Sequence, residues 1–367
     1  MEAYRRIVLA SRPVTAPTLD TFRLETGTMP RPAPGQLLVR TQYLSLDPYM
    51  RGRMSSATSY SQPVAVGDAI EGEAIAEIMQ SRSDEFREGD IVRTMVGWRS
   101  HAAINAEDAR QVRNGNVPVT AYLGVLGMPG FTAYVGLKVI GQPKPGETLA
   151  VSAATGPVGS LVGQLAKRAG ARTIGIAGGA AKCHYLVSSL EFDAAADRHT
   201  DDFARVLQDL SPDGIDVYFE NAGGSVWQAV LPLLNRYARV PVCGLVALYN
   251  SVPQTGRDWL GDTMLTVLRR SLLIRGFIYS EFVSDYYDEF LEEVGPLVAN
   301  GEIRYREQMV EGLEAAPGAF VGMLEGHNFG EVIVKVAWER IALRGRRYPA
   351  AVYSKVQDRN RTTPVAH

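Results

Sequence analysis

Apolar and polar positions along this chain fall into two regimes. In the first third they alternate in short bursts. Gln36-Leu37-Leu38-Val39-Arg40-Thr41 alternates after the Pro34-Gly35 turn, residues 69–79 repeat the pattern after Gly67-Asp68, and Glu88-Gly89-Asp90 turns into Ile91-Val92. Short, evenly spaced strands of this kind predict a small, strongly bent β-barrel over 1–125. From about Gly130 the period changes. Apolar runs at 148–152, 173–177, 194–196, 216–219, 238–242 and 272–277 read as strands. Helical patterns lie between them at 157–169, 180–190, 200–210, 225–233 and 259–269, with one more at 282–300. Strands linked by crossover helices predict an α/β unit over 126–300, built on a doubly wound parallel sheet. Residues 301–336 return to turn-rich strand character and end in Val332-Ile333-Val334-Lys335-Val336, a segment expected to rejoin the barrel. The last stretch, 337–367, has no clear period and carries seven Lys/Arg against two acids. It reads as a solvated basic tail or as an arm that packs on a partner subunit.

Composition narrows the functions open to such a chain. Its 367 residues suggest about two domains. A net charge of −2 gives no sign of nucleic-acid binding. No run reaches the roughly 18 apolar residues of a membrane span. The N-terminal MEAYRRIVLASRPV has two arginines but no adequate apolar h-region, so no signal peptide is expected. Cys183 and Cys243 are the only cysteines, which fits a reducing, cytoplasmic setting. There is no C-x-x-C and no H-E-x-x-H among five scattered histidines, so no metal site is expected.

The chemistry concentrates in 148–163. A buried strand runs into Ala154-Thr155-Gly156-Pro157-Val158-Gly159, which fills the G-x-G-x-x-G frame with Ala in first place. Gly156 lets backbone approach a pyrophosphate, and Gly159 lets the following helix sit close on the strand. Pro157 suits a first helical turn. Free N–H groups and the dipole of that helix favour an anion. By itself the pattern is equally that of an ordinary strand–turn–helix.

The second strand selects between nicotinamide cofactors. An NADH site places Asp or Glu at its end, about 20 residues past the glycines. Here the strand ends Ile176-Ala177-Gly178-Gly179, with Lys182 after it and Arg198 beyond the third strand. Cations without a competing carboxylate fit the 2′-phosphate of NADPH. Taken alone, Lys182 is an exposed helix charge; the missing acid and the Gly-Gly turn favour the phosphate reading.

Several segments together resemble a known family. They are Leu44-Ser45-Leu46-Asp47-Pro48-Tyr49-Met50-Arg51-Gly52-Arg53-Met54, Gly127-Met128-Pro129-Gly130-Phe131-Thr132-Ala133-Tyr134, the glycine turn, Phe219-Glu220-Asn221-Ala222-Gly223-Gly224, Cys243-Gly244 with Tyr249-Asn250, and Asn328-Phe329-Gly330. In this order they resemble the zinc-free medium-chain dehydrogenase/reductases, within them the prostaglandin, alkenal double-bond and curcumin reductase group. The resemblance implies a GroES-like barrel split around a Rossmann domain, with the active site in the cleft between them. It implies that Gly156, Pro157, Val158 and Gly159 hold the pyrophosphate and that Lys182, beside Gly178, meets the 2′-phosphate. It further implies that Asn221, Cys243, Gly244, Tyr249, Phe277, Ile278, Tyr279 and Asn328 line the cofactor path, and that Met128 and Thr132 flank the nicotinamide. The family often has Tyr where this chain has Arg198, which can replace it at the phosphate or point to solvent.

The reaction the resemblance implies is hydride transfer from NADPH to the β-carbon of an enone or enal. Negative charge then develops on the carbonyl oxygen and needs a donor. Tyr249 is the first candidate, with core packing as its alternative. Tyr49 and Tyr60 are candidates from the barrel side, and Trp98 and Arg99 are expected either to wall the substrate pocket or to lie on the surface. Residues 250–262 are expected to form a mobile loop over the substrate. Two other functions stay open: a quinone oxidoreductase or alcohol dehydrogenase on the same fold, and a non-catalytic NADPH-binding protein. The last strand, 272–277, lies at a sheet edge, so a homodimer is expected.

Overall fold

A computed structural model of the chain describes residues 4–112, 116–250 and 259–336. Most of the expected substrate loop, at 251–258, and the basic tail at 337–367 lie outside the described residues. The remainder of that expected loop is helical from Leu260 onward.

The alternating N-terminal segments form β1 (Tyr4–Leu9), β2 (Phe22–Gly27), β3 (Gln36–Leu46), β4 (Glu73–Ser81), β5 (Ile91–Met95), β6 (His101–Asn105) and β7 (Arg110–Gln111). β3 is the spine of the barrel sheet. Its first half pairs with β6 and Leu37 to Leu44 pair with β4, where the register shifts between Leu38 and Val39 and again between Thr41 and Tyr43. Such irregularities bend a strand and increase its twist, which curls the sheet. Residues 69–72, read from sequence as the start of β4, instead cross to β1. Ile70 N donates to Ile7 O, and Trp98 N donates to Ile70 O.

The parallel sheet follows the predicted units closely. It contains β8 (Thr148–Ser152), β9 (Arg172–Ala177), β10 (Ala194–Asp197), β11 (Ile215–Phe219), β12 (Leu234–Val242) and β13 (Leu273–Gly276), in the order β10-β9-β8-β11-β12-β13. The order reverses at β8, and ligands of open α/β sheets sit at that switch. Both faces of β8 are buried: Leu149 and Val151 enter one core and Ala150 the other. This explains why β8 reads as a continuous apolar run and not as an alternation.

The chain then returns to the barrel. β14 (Glu307–Glu311) and β15 (Glu331–Lys335) add to its sheet, with β15 antiparallel to the end of β3. Between them lies a helix at Ala316–Leu324, where only turns and strands were expected. Pro317 starts it, and Phe320 and Met323 bury into the barrel core. The segment is too uniformly apolar to show a helical period. A second helix not foreseen, Met128–Val135, is buried on nearly every side for the same reason.

Candidate functional site

The C-terminal ends of the parallel strands and one wall of the barrel enclose a cleft of about 740 Å³, within the size of a small-molecule site. The glycine turn forms its floor. Ala153 takes the left-handed conformation at φ 50°, which throws the chain sharply off β8. The helix α1 (Pro157–Arg168) then starts at once, with Gly156 as its cap and no side-chain cap on its free N–H groups. A Cβ on Gly159 would stand 2.6 Å from Ala153 O and 2.7 Å from Ala154 Cα, both backbone, so only glycine allows this helix onto the strand.

Two cations close one end of the cleft. Lys182 Nζ donates to Gly326 O at 2.8 Å, and a Cβ on Gly326 would lie 3.5 Å from Arg198 Nη2, so both side chains converge on the same peptide. Burial, and then the nearby Arg198, lower the Lys182 pKa. Neither cation makes an ion pair among the described residues. A phosphate dianion would relieve the repulsion, and β9 ends without an acid that would oppose it. The uncapped helix start, the glycine approach and this pair of cations therefore fit a phosphorylated dinucleotide.

The crest between β8 and β11 is held by Glu220, a buried residue that the sequence reading left without a role. Its Oε1 accepts from Ser152 Oγ, Tyr218 OH, Ala222 N and Gly223 N within 2.7–2.9 Å. This fixes the turn carrying Asn221, whose Nδ2 donates to Ser152 O and whose Oδ1 accepts from Cys243 Sγ. Asn221, Cys243 and Gly244 thus present a rigid edge to the cleft.

The opposite end is lined by phenols. Leu245 N donates to Tyr249 OH at 3.5 Å. Burial raises the Tyr249 pKa, so the phenol keeps its proton at neutral pH. Tyr49 is raised well above the ordinary value, by burial first and then by Asp47 and Glu73. Tyr279 is raised by burial and by Glu73. Tyr60 is exposed at the mouth, with the Arg53 guanidinium 4.6 Å from its ring centre. Thr132 Oγ1 donates to Met128 O at 2.8 Å, and Asn328 Nδ2 donates to Gly330 O at 3.0 Å. Both residues line the cleft, as do Met128, Gly178, Phe277 and Ile278.

Two expected substrate residues do not belong here. Trp98 is fully buried in the barrel core, stacked on Phe22 at 5.4 Å and edge-on to Phe320. Its apolar bulk is used for packing, so it cannot wall the pocket. Arg99 lines a separate cavity on the barrel.

The sequence reading also missed a buried carboxyl pair in the barrel wall of the cleft. Ser45 Oγ lies 2.6 Å from Asp47 Oδ2 and 2.9 Å from Glu331 Oε1. The hydroxyl has one hydrogen, so it can donate to only one carboxylate. The other contact is satisfied when the second carboxyl is protonated and donates to the hydroxyl oxygen. Burial pushes Asp47 up to about 7, and Glu331 is pushed well up by burial and by Asp47. Asp47 stands inside a motif, but Glu331 begins an apolar strand and reads as a solvent-facing end.

Barrel, switch-point cleft and cationic end together define a dinucleotide-dependent oxidoreductase architecture. The comparisons agree. A family described as the N-terminal domain of oxidoreductase matches residues 5–112, and one described as zinc-binding dehydrogenase matches 157–295. The NADPH-dependent curcumin reductase of Escherichia coli (strain K12) is 48% identical, over 91% of this chain and 97% of that protein. The 2-alkenal reductase (NADP(+)-dependent) of Nicotiana tabacum is 38% identical, over 83% and 88%. The crystal structure of CurA in complex with NADPH from Vibrio vulnificus superposes with a TM-score of 0.87 at 47% identity, covering 91% of this chain and all of that one. The chain belongs to the medium-chain dehydrogenase/reductases, in their alkenal, curcumin and prostaglandin reductase group. Despite the word zinc in the second description, no three His, Cys, Asp or Glu among the described residues gather as a metal site.

Two outcomes follow from this geometry. Lys182→Ala raises the KM for NADPH about tenfold or more, the loss of about 1.4 kcal/mol, and leaves the KM for NADH nearly unchanged; steady-state kinetics with both coenzymes measures this. The second concerns pH. A carboxyl whose folded pKa is raised contributes stability that is present below its unfolded value and is lost as pH rises through its folded value, and Glu331 is held well above the ordinary carboxyl range. In Glu331→Gln the amide donates at every pH. Thermal melts from pH 5 to 9 then show the variant gaining on the parent as pH rises, by a few degrees for about 1–2 kcal/mol. Parallel curves would remove the proton-sharing pair.

Proposed function

We propose that this protein is an NADPH-dependent reductase of the carbon–carbon double bond in α,β-unsaturated ketones or aldehydes. The observation that carries the reading is the pair Lys182 and Arg198 converging on Gly326 beside a β9 that ends without an acid. The relatives named above, each described as NADPH- or NADP(+)-dependent, support it.

When bound, NADPH supplies the hydride that adds to the β-carbon. The chain's own residues supply position and charge. The start of α1 and the two cations anchor the phosphates at one end. Asn221, Cys243 and Gly244 hold the middle of the cleft in a fixed shape. Tyr249 donates its phenolic proton toward the carbonyl oxygen, where negative charge develops. Tyr49 and Tyr60 face the same space from the barrel, and solvent protonates the α-carbon. A protonated Asp47–Glu331 pair keeps one carboxylate charge off the wall where this charge forms.

The chain's remaining surface suggests a homodimer. β13 ends the parallel sheet with Leu273 and Ile274 exposed, and the neighbouring helix α2 (Leu260–Arg270) exposes Met264, Leu265 and Leu268. An unpaired strand edge beside an apolar helix face fits a second copy across a two-fold axis. The two free cysteines fit a reducing compartment such as the cytoplasm, and no described helix is long and apolar enough to cross a membrane.

NADPH consumption is expected with enones and enals, and not with quinones or saturated aldehydes. Tyr249→Phe lowers kcat on the enones about tenfold, in line with about 1.4 kcal/mol; an unchanged kcat removes Tyr249 from the reaction. In sedimentation the protein runs at twice the 40.0 kDa of the chain, and Leu268→Glu shifts it toward the monomer. A parent that sediments as a monomer at micromolar concentration contradicts the dimer.

A further inference from the structure

The turn that carries Tyr249 is held at both ends. At its start, Val246 N donates to Asn221 O at 3.1 Å and Ala247 N donates to Ala222 O at 3.0 Å. Those two acceptors belong to the crest that Glu220 and Ser152 already fix. At its far end, Asn250 Oδ1 accepts from Arg51 Nε at 3.1 Å. Arg51 belongs to the barrel, in the short helix Tyr49–Arg53. Tyr49 and Arg53 of that helix line the cleft from the barrel, and Tyr249 lines it from the parallel-sheet unit. The Arg51–Asn250 bond therefore joins the two walls one residue away from the phenol.

Arg51 is an expensive choice for a purely structural contact. It is only 5% exposed. Among the described residues its acceptors are all neutral, with no carboxylate among them. A buried guanidinium without a counter-charge loses hydration that an apolar side chain of similar size would not have to give up. What arginine supplies is a rigid fork that meets two separate segments at once. Its Nη2 donates to Thr15 O at 2.6 Å, in the loop between β1 and β2. Arg12 pins that same loop, donating from Nη1 to Met54 O at 3.0 Å and from Nη2 to Val64 O at 2.8 Å. Thr15 O is thus a fixed acceptor, and it sets the direction in which Arg51 reaches Asn250.

The phenol needs such support from its backbone. Its own hydrogen bond, from Leu245 N, is long at 3.5 Å and orients the ring weakly. A donor to a developing charge acts only when it is held in place beforehand. We propose that Arg51 is a positioning residue for the reduction: by holding Asn250 to the barrel it fixes the Tyr249 phenol at the oxygen where negative charge forms. The inference rests on the reductase reading and on Tyr249 as the donor, and it adds a residue that touches neither substrate nor cofactor.

Steady-state kinetics with NADPH and benzylideneacetone tests it. The full chain is compared with Arg51→Lys, Asn250→Ala, Asn250→Asp, Tyr249→Phe and the double variant Arg51→Lys/Tyr249→Phe, with circular dichroism to check folding. Arg51→Lys keeps the charge but cannot span both segments, and Asn250→Asp keeps the acceptor. Arg51→Lys and Asn250→Ala are expected to lower kcat about fivefold while the KM for NADPH stays within about twofold of the parent's. Asn250→Asp is expected to turn over as the parent does. In the Tyr249→Phe background Arg51→Lys is expected to cost nothing further, because the donor it positions is gone. If Arg51→Lys does not fold, the two Asn250 variants decide the question. The proposal is overturned if Arg51→Lys and Asn250→Ala keep the parent's kcat, if Asn250→Asp loses as much as Asn250→Ala, or if Arg51→Lys costs the same with and without the Tyr249 hydroxyl. Those results leave the reductase reading standing. A parent that oxidises no NADPH with this enone, or a Tyr249→Phe variant with the parent's kcat, instead removes the reading on which the inference rests, and the inference falls with it.

Discussion

Everything in the cleft depends on one close contact, the approach of Gly159 to the backbone of Ala153 and Ala154. That approach seats a helix directly on the end of the central strand. It points the uncapped first turn into the space where the sheet order reverses. No side chain is needed to create an anion site there, because the backbone already supplies donors and a dipole. Any residue larger than glycine would lift the helix and spoil both the core packing behind it and the cradle in front of it.

The rest of the cleft is graded in charge. Its far end is cationic and its floor is backbone. Its near wall combines protonated phenols with carboxyls that burial holds partly neutral. In the proposed function, a phosphorylated dinucleotide suits this gradient in one direction, with its 2′-phosphate toward Lys182 and Arg198 and the reactive ring toward the phenols. The barrel wall can then receive an electron-rich oxygen without facing two full carboxylate charges. Glu220 serves the same arrangement indirectly. Four donors converge on one of its oxygens and fix the turn that carries Asn221.

Much of this was legible in the residues. The parallel strands and their helices could be placed because a buried strand between Gly and Pro signals is distinct from an amphipathic helix. Gly156, Gly159 and Lys182 could be placed at the cleft because their spacing has a mechanical reason. The failures also have physical causes. The helices at Met128–Val135 and Ala316–Leu324 are apolar on nearly every face and show no period. Trp98 was expected at the pocket wall or on the surface, yet an aromatic near a motif is equally suited to a core, and the core took it. Arg99 lines a separate cavity on the barrel instead. Glu331 could not be recognised because its partner, Asp47, is distant in the chain, and a lone acid at a strand end looks solvated. Pairings made only by tertiary folding leave no local signal.

The central claim is that two cations select the phosphorylated coenzyme at the end of a glycine-built cleft. Calorimetric titration of the purified protein with NADPH and with NADH measures it most directly. The account predicts that NADPH binds about tenfold or more tightly, and that this advantage shrinks as salt screens the cations. Equal affinity for the two coenzymes, or tighter uptake of NADH, would contradict it.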